Sequence, residues 1–225
     1  INGILQCFAD SQQSVDVIGE WELDNPALRY KLIVVPEWAE VSCKDKLLAF
    51  AENGGTLLII GSGATKLFEK ELGVSITDTI KQKRVFIGDK YDYCSFGELS
   101  DINEVNVLTA VAAENAFLNS DFSDIHTALT VNGLGKGKIA GIYFDMGQQY
   151  MSGRTAGACD FVKRTVSKLL QKPELTVSGS RNVEVALRRN CGKKEVVLLN
   201  CSGPHSDPNT FTYDELLPIC NITVK

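Results

Sequence analysis

The stretch from Tyr30 to Gly63 constrains the fold more than any other part of this chain. Tyr30-Lys-Leu-Ile-Val-Val-Pro36 and Gly54-Gly-Thr-Leu-Leu-Ile-Ile-Gly-Ser-Gly63 are two apolar runs of strand length. Between them Leu47, Leu48, Phe50 and Ala51 form the inward stripe of a helix. Asn53-Gly54-Gly55 stops that helix, because glycine tolerates the left-handed backbone a helix end requires. Strands that are apolar on both faces need cover on both faces, which is the property of parallel sheets flanked by helices. The strand–helix–strand unit therefore predicts an α/β fold, a flavodoxin-like, open, mainly parallel sheet with helices on both faces. In such sheets ligands sit beyond the carboxyl ends of the strands. Those ends are Pro36-Glu37-Trp38 and Gly61-Ser62-Gly63.

Charge and length exclude several classes. The chain has 225 residues, 44% hydrophobic and 23% charged, with a formal net charge of −5. No run of Lys and Arg is dense enough to track a phosphate backbone, so no nucleic-acid partner is expected. No stretch approaches the ~20 apolar residues of a membrane span. The seven cysteines are odd in number, irregularly spaced and without a CxxC pair. That pattern argues against a zinc site and against a disulfide framework, and predicts reduced, mostly buried thiols. It leans toward a cytoplasmic setting without identifying the compartment. Asn200-Cys-Ser202 and Asn221-Ile-Thr223 match the glycosylation sequon, a short motif that often arises by chance. Ile1, Ile4, Leu5 and Phe8 fall at helical spacing with no start signal before them, which is expected of a piece of a longer protein.

The rest of the chain divides in two. Val15 to Ile18 is expected as a short strand and Ala64 to Leu72 as a short helix. From Val74 to about Ala113 the pattern loosens into an excursion, with Lys81 to Ile87 and Val105 to Val111 as candidate strands. Thr127 to Val131 and Lys138 to Asp145 read as strands around the Gly-rich turn Asn132-Gly-Leu-Gly-Lys-Gly137. That turn lacks the Gly-Lys-Ser/Thr ending of a phosphate loop and does not open a helix. Thr155 to Gln171 is a helix with Phe161, Val162, Val166, Leu169 and Leu170 on one face. After Pro173 only short strand runs follow, at Leu175 to Val177, Val183 to Leu187, Glu195 to Leu199 and Ile219 to Val224, with Arg188 to Lys194 as a polar turn. The change of pattern predicts an α/β domain over 1–172 and a small antiparallel β unit over 173–225.

Several of these segments in order resemble a known domain. They are Tyr30 to Pro36, Asn53 to Gly61, Gly133-Leu-Gly-Lys-Gly-Lys-Ile139, Phe144-Asp145, Val183-Glu-Val-Ala-Leu-Arg188 and Val196-Val-Leu-Leu-Asn200. The series resembles the class-I glutamine-amidotransferase-like domain that follows the catalytic barrel of family-42 β-galactosidases, where it is called the trimerisation domain. It is also similar to the corresponding region of bacterial α-L-fucosidase-like glycoside hydrolases, which close on a β-sandwich tail. The resemblance implies a role beside a glycoside-hydrolase barrel, with that barrel or sister subunits as partners, and a family first strand missing ahead of the opening helix.

It implies no amidotransferase chemistry here. That chemistry needs a thiolate on a tight strand-to-helix turn, a base beside it and donors for the oxyanion. The position matching the nucleophile is Gly61, and Ser62 beside it lacks the first Gly of a Gly-x-Ser-x-Gly elbow. Only His126 and His205 exist, and neither stands as His-x-Glu after a late strand. Glu37, Ser62 and Asp145 lie at expected strand ends and are the candidate residues of a crevice. Paired carboxylates of this kind serve glycoside hydrolysis when ~5–10 Å apart, yet strand-end carboxylates also serve as helix caps. Trp21 and Trp38 are candidates for a sugar-stacking platform or for interface packing. No residue pattern implies a cofactor or a metal ion. Two readings stand: a non-catalytic assembly module of a glycoside-hydrolase-like protein, or a sugar-binding or hydrolytic protein using the strand-end crevice.

Overall fold

The computed structural model describes residues 1–25, 28–37, 42–97, 100–202 and 217–225. The expectations placed on Trp38 and His205 lie outside these residues. The chain opens with helix α1 (Asn2–Asp10), which buries Ile4, Cys7 and Phe8, the stripe seen in the sequence. The strand–helix–strand unit follows as β1 (Leu32–Val35), α2 (Lys44–Glu52) and β2 (Thr56–Ile60). Leu47 and Ala51 of α2 are buried, while Leu48 and Phe50 are half-buried. Every residue of β2 is buried, which is why it is apolar throughout. β1 is half-covered because it forms the sheet edge.

Two short helices come next, α3 (Ser62–Leu67) and α4 (Glu69–Leu72), where one was expected. Phe68 breaks them, at φ −112°. The excursion then proves to be strands: β3 (Val74–Gln82), β4 (Val85–Gly88), β5 (Tyr93–Phe96), β6 (Ser100–Val107) and β7 (Val111–Phe117). The two candidate strands of this region are corrected, since each straddles a break between neighbouring strands. β8 (Ile125–Leu134) and β9 (Gly137–Ile142) make the expected hairpin around Gly135, whose φ is +58°. Helices α5 (Met146–Gly153) and α6 (Ala156–Leu169) follow. The tail contains β10 (Val177–Ser178), β11 (Val183–Asn190), β12 (Lys193–Asn200) and β13 (Thr223–Val224). Val15 to Ile18, expected as a strand, has no regular structure.

The main sheet has seven strands in the order β1-β2-β9-β8-β7-β4-β5. β1, β2 and β9 run parallel. The remaining neighbours pair antiparallel. The sheet is therefore mixed rather than mainly parallel, a correction to the flavodoxin-like expectation. Its physical cause lies in the excursion, which returns to the sheet through hairpins and not through helical crossovers. Helices do cover both faces. Leu58, Ile60, Ala140 and Ile142 pack with α1 and α6 in one core. Leu57, Ile59 and Ile139 pack with α2, α3 and α4 in the other. Strand residues of alternating sign along β2 thus feed two cores, as the period of a strand requires.

Two elements lie outside the main sheet and bear on the site. β3 and β6 form a separate antiparallel ribbon. Ile102 of β6 bridges to Phe144, which places the ribbon at the carboxyl end of β9. Among the described residues the tail strands pair with one another, β10 with β13 and β11 with β12. The turn expected to span 188–194 narrows to Cys191-Gly192, both at positive φ, as a two-residue hairpin turn requires. Val183 and Val185 of β11 are buried. The tail also meets the body through Gln12 Nε2 donating to Ser180 O at 2.7 Å and Leu187 N donating to Ser14 Oγ at 2.9 Å. Of the cysteines, Cys7, Cys94 and Cys159 are buried and Cys191 and Cys220 exposed, so the thiols are less uniformly buried than expected. Among the described residues no helix is long and apolar enough to cross a membrane.

Candidate functional site

Glu37, Ser62 and Asp145 follow β1, β2 and β9, the three parallel strands, and the fold brings them together at the carboxyl end of the sheet. What joins them is helix capping. Ser62 opens α3, and its backbone N–H donates to Asp145 Oδ1 at 2.9 Å. The Ser62 hydroxyl donates to the same oxygen at 3.1 Å. Glu37 performs the same service for α5: the Gly147 N–H donates to Glu37 Oε1, and the Gln148 N–H donates to Oε2 at 3.2 Å. Each carboxylate thus satisfies N–H groups that a helix start leaves without partners, and adds favourable charge at the positive end of the helix dipole.

Gly61 makes this packing possible. Its φ of +103° and ψ of 158° belong to a region that residues with a side chain avoid. A Cβ there would stand 2.7 Å from Glu37 Cγ. The position that corresponds to an amidotransferase nucleophile therefore has no room for a side chain while Glu37 caps α5.

The β3–β6 ribbon closes the site from the other side. Asn103 of β6 is 2% exposed. Its amide donates to Ser62 O at 2.7 Å and to Thr65 Oγ1 at 2.9 Å. Its oxygen accepts from Thr79 Oγ1 at 2.8 Å. Its backbone N–H donates to Tyr143 O at 2.8 Å. Asn103 was not singled out in the sequence; the one signal for it is a polar residue on the inward face of Ser100-Asp-Ile-Asn-Glu-Val-Asn-Val107.

The electrostatics of the pair are asymmetric. Burial pushes the Glu37 carboxyl up to about 7. The Gly147 N–H opposes that rise, nearby Asp145 adds to it, and the Gln148 N–H opposes it again. Asp145 and Glu37 are thus close enough to feel one another. Among the described residues no histidine joins them. Both ring nitrogens of His126 face carboxylates elsewhere, Nδ1 toward Glu104 Oε1 at 3.4 Å and Nε2 toward Asp124 Oδ2 at 3.0 Å. Ser62 and His126 are not brought together. Among the described residues no group of three His, Cys, Asp or Glu side chains is placed to hold a metal ion. Trp21, the other aromatic candidate, lies in a 3-10 turn (Glu20–Asp24) and is 75% exposed.

Fold and site together define an α/β domain with a mixed seven-stranded sheet, a strand-end crevice filled by caps and a ribbon, and a short β tail. No family model matches the chain, and no curated protein matches it in sequence. Solved structures do share its fold. A catalytic mutant of a GH42 beta-galactosidase from G. stearothermophilus is similar at a TM-score of 0.63 and 20% identity, over 88% of this chain and 30% of that one. Alpha-L-fucosidase isoenzyme 2 from Paenibacillus thiaminolyticus is similar at a TM-score of 0.72 and 13% identity, over 99% of this chain and 37% of that one. A cytoplasmic protein from Salmonella typhimurium is similar at a TM-score of 0.52 and 15% identity, over 74% of this chain and 85% of that one. The chain spans about a third of the length of the two glycosidases.

Proposed function

We propose that this chain is a non-catalytic structural and assembly module of a glycoside-hydrolase-like protein engaged in carbohydrate degradation. The observation that carries the reading is the use of the strand-end carboxylates. Glu37 and Asp145 are committed to capping α5 and α3, and Asn103 secures the ribbon to the same turn. Groups that must exchange protons or attack a sugar need free access to it. The likeness to part of two larger glycosidases supports the setting. The finer assignment is a class-I glutamine-amidotransferase-like domain of the β-galactosidase trimerisation type, over 1–172, with a β-sandwich-like unit over 173–225. The Salmonella likeness, which uses about three quarters of this chain, supports treating the α/β part as a unit of its own. The partners are then a barrel domain of the same parent protein or sister subunits. Exposed Ile1 and Leu5 on one side of α1 supply apolar surface for such packing.

One observation favours a second reading. A carboxyl raised to about 7 beside a second carboxylate is the pattern of an acid and its partner, so a sugar-binding or hydrolytic crevice at Glu37, Ser62 and Asp145 is the alternative. Assays with nitrophenyl glycosides, nitrophenyl esters and glutamine decide between them. The expected result is no turnover by the chain and no change on Ser62→Ala or Glu37→Gln. Turnover that falls ~100-fold or more on either substitution would establish the enzyme reading. Light scattering over a concentration series tests assembly, and a strict monomer that also fails to bind a barrel domain would remove the module reading.

A further inference from the structure

We infer that the opposite end of the sheet holds a binding groove for an anionic polysaccharide segment, a run of sugar rings bearing carboxylates. An open groove of about 1000 Å³ runs where α2 and α6 end and where β1, β2 and β9 begin. It is lined by Lys31, Lys46, Lys136, Lys138 and Lys172, against Asp24 as its one acidic side chain. Lys46 pairs with Asp24 at 2.6 Å, and Lys31 with Glu174 at 3.6 Å. Glu174 is itself shared with Arg189 and Lys194. Lys136, Lys138 and Lys172 have no carboxylate partner among the described residues.

Two helix carboxyl ends meet here, and they account for part of this charge. Each contributes roughly −0.5 of a charge, so together they offset about one lysine. About two positive charges remain over the groove, in a chain whose net charge is −5. The lysines therefore exceed what the helix ends require.

The floor supplies the other half of the chemistry. The Phe50 ring packs against Gly55, where a Cβ would collide with it. Tyr30 is anchored by its hydroxyl, which donates to Asp16 at 2.9 Å. Fixed aromatic faces suit the apolar C–H faces of pyranose rings. Lysine ammonium groups suit isolated carboxylates better than the bidentate geometry that arginine favours. An extended acidic peptide would gain most by pairing with a strand edge. Here the strands meet the groove end-on and offer no edge, so the sugar polymer is the better occupant. The groove lies at the other end of the strands from Glu37, Ser62 and Asp145, and its case does not depend on the assembly reading.

The test is fluorescence anisotropy at low salt with a labelled oligogalacturonate. A neutral oligogalactoside and an oligoglutamate of similar length serve as comparison probes. The expected result is binding of the oligogalacturonate at least ~10-fold tighter than of either comparison probe. Lys136→Glu combined with Lys172→Glu is expected to weaken that binding ~10-fold or more, and Phe50→Ala to weaken it as well. Lys90→Glu, exposed in the β4–β5 turn at the opposite edge of the sheet, is expected to leave it unchanged. Absence of binding would overturn the proposal. So would equal binding of oligoglutamate, or a loss on Lys90→Glu as large as on the groove pair, since either would reveal unspecific attraction. All of these outcomes leave the assembly measurement untouched, so the two readings fail separately.

Discussion

The two ends of the parallel strands use their polar residues in opposite ways. At the carboxyl end, Glu37 and Asp145 each turn toward the start of a helix, and Asn103 arrives from the ribbon to bond the same turn. At the amino end, three lysines line an open groove with no carboxylate to meet them among the described residues. An open α/β sheet ordinarily keeps its ligand at the carboxyl end. In this chain that end is knitted shut, and unspent charge collects at the other. The lesson is that a binding-type topology does not place a binding site by itself. What decides is whether the polar groups at a strand end have partners inside the fold.

This contrast makes the carboxyl end a stability element, and substitutions there should say so in graded fashion. The largest effect is expected from Gly61→Ala. It forces a side chain into a φ of +103° and against Glu37 Cγ, for a loss of about 3–5 kcal/mol. Chemical denaturation would measure it, and a loss below about 1 kcal/mol would mean that the turn relaxes freely. Asn103→Ala should cost about 2–3 kcal/mol, because the Thr65 and Thr79 hydroxyls and the Ser62 carbonyl lose a partner in a buried setting. A smaller loss would show that water replaces the amide and that the ribbon does not seal the crevice.

Removing a cap is expected to cost less. Glu37→Ala should destabilise by about 1–2 kcal/mol through the start of α5. The pH dependence of this site has a definite sign. The folded carboxyl holds its proton up to about 7, above the ordinary 4.5. The folded state therefore binds the proton more tightly than the unfolded chain between these values, and the contribution of Glu37 to stability falls as pH rises from about 4.5 to about 7. Glu37→Gln should flatten that part of the stability–pH curve, and an unchanged slope would assign it to another group. Ser62→Ala, which keeps the backbone bond to Asp145 and loses only the hydroxyl's, should cost about 0.5–1 kcal/mol. At the amino end Lys136→Glu should change stability by no more than about 0.5 kcal/mol, since the residue is exposed and unpaired in the turn before β9. A large loss there would contradict the contrast between a sealed end and an open one.

The parallel half of the sheet was legible because its signals are local. β2 is apolar at every position, α2 stops at Asn53-Gly54, and the β8–β9 turn is rich in glycine. Each follows from hydrophobic period or turn chemistry within about ten residues. The three candidate residues were also placed correctly at strand ends, since that needs only the strand boundaries. The excursion from β3 to β7 was not legible. β4 and β5 are four residues each, and β3 and β6 are largely polar, so no period of 2 stands out. β3 finds its partner in β6 and β4 in β7, both across intervening strands, and only their pairing reveals them.

The amino-acid sequence by itself determined the class of the fold: alternating apolar strands and amphipathic helices, then a run of short strands with no helix between. It also determined that no nucleophile stands at Gly61, because glycine has no side chain to offer. Only the tertiary structure decided that Glu37 and Asp145 cap helices, that Asn103 closes the crevice and that the lysines gather at the far end. A carboxylate at a strand end reads the same whether it faces solvent, a ligand or a helix start. Its role depends on which donors lie within hydrogen-bond reach, and for Glu37 those donors, Gly147 and Gln148, lie 110 and 111 residues along the chain.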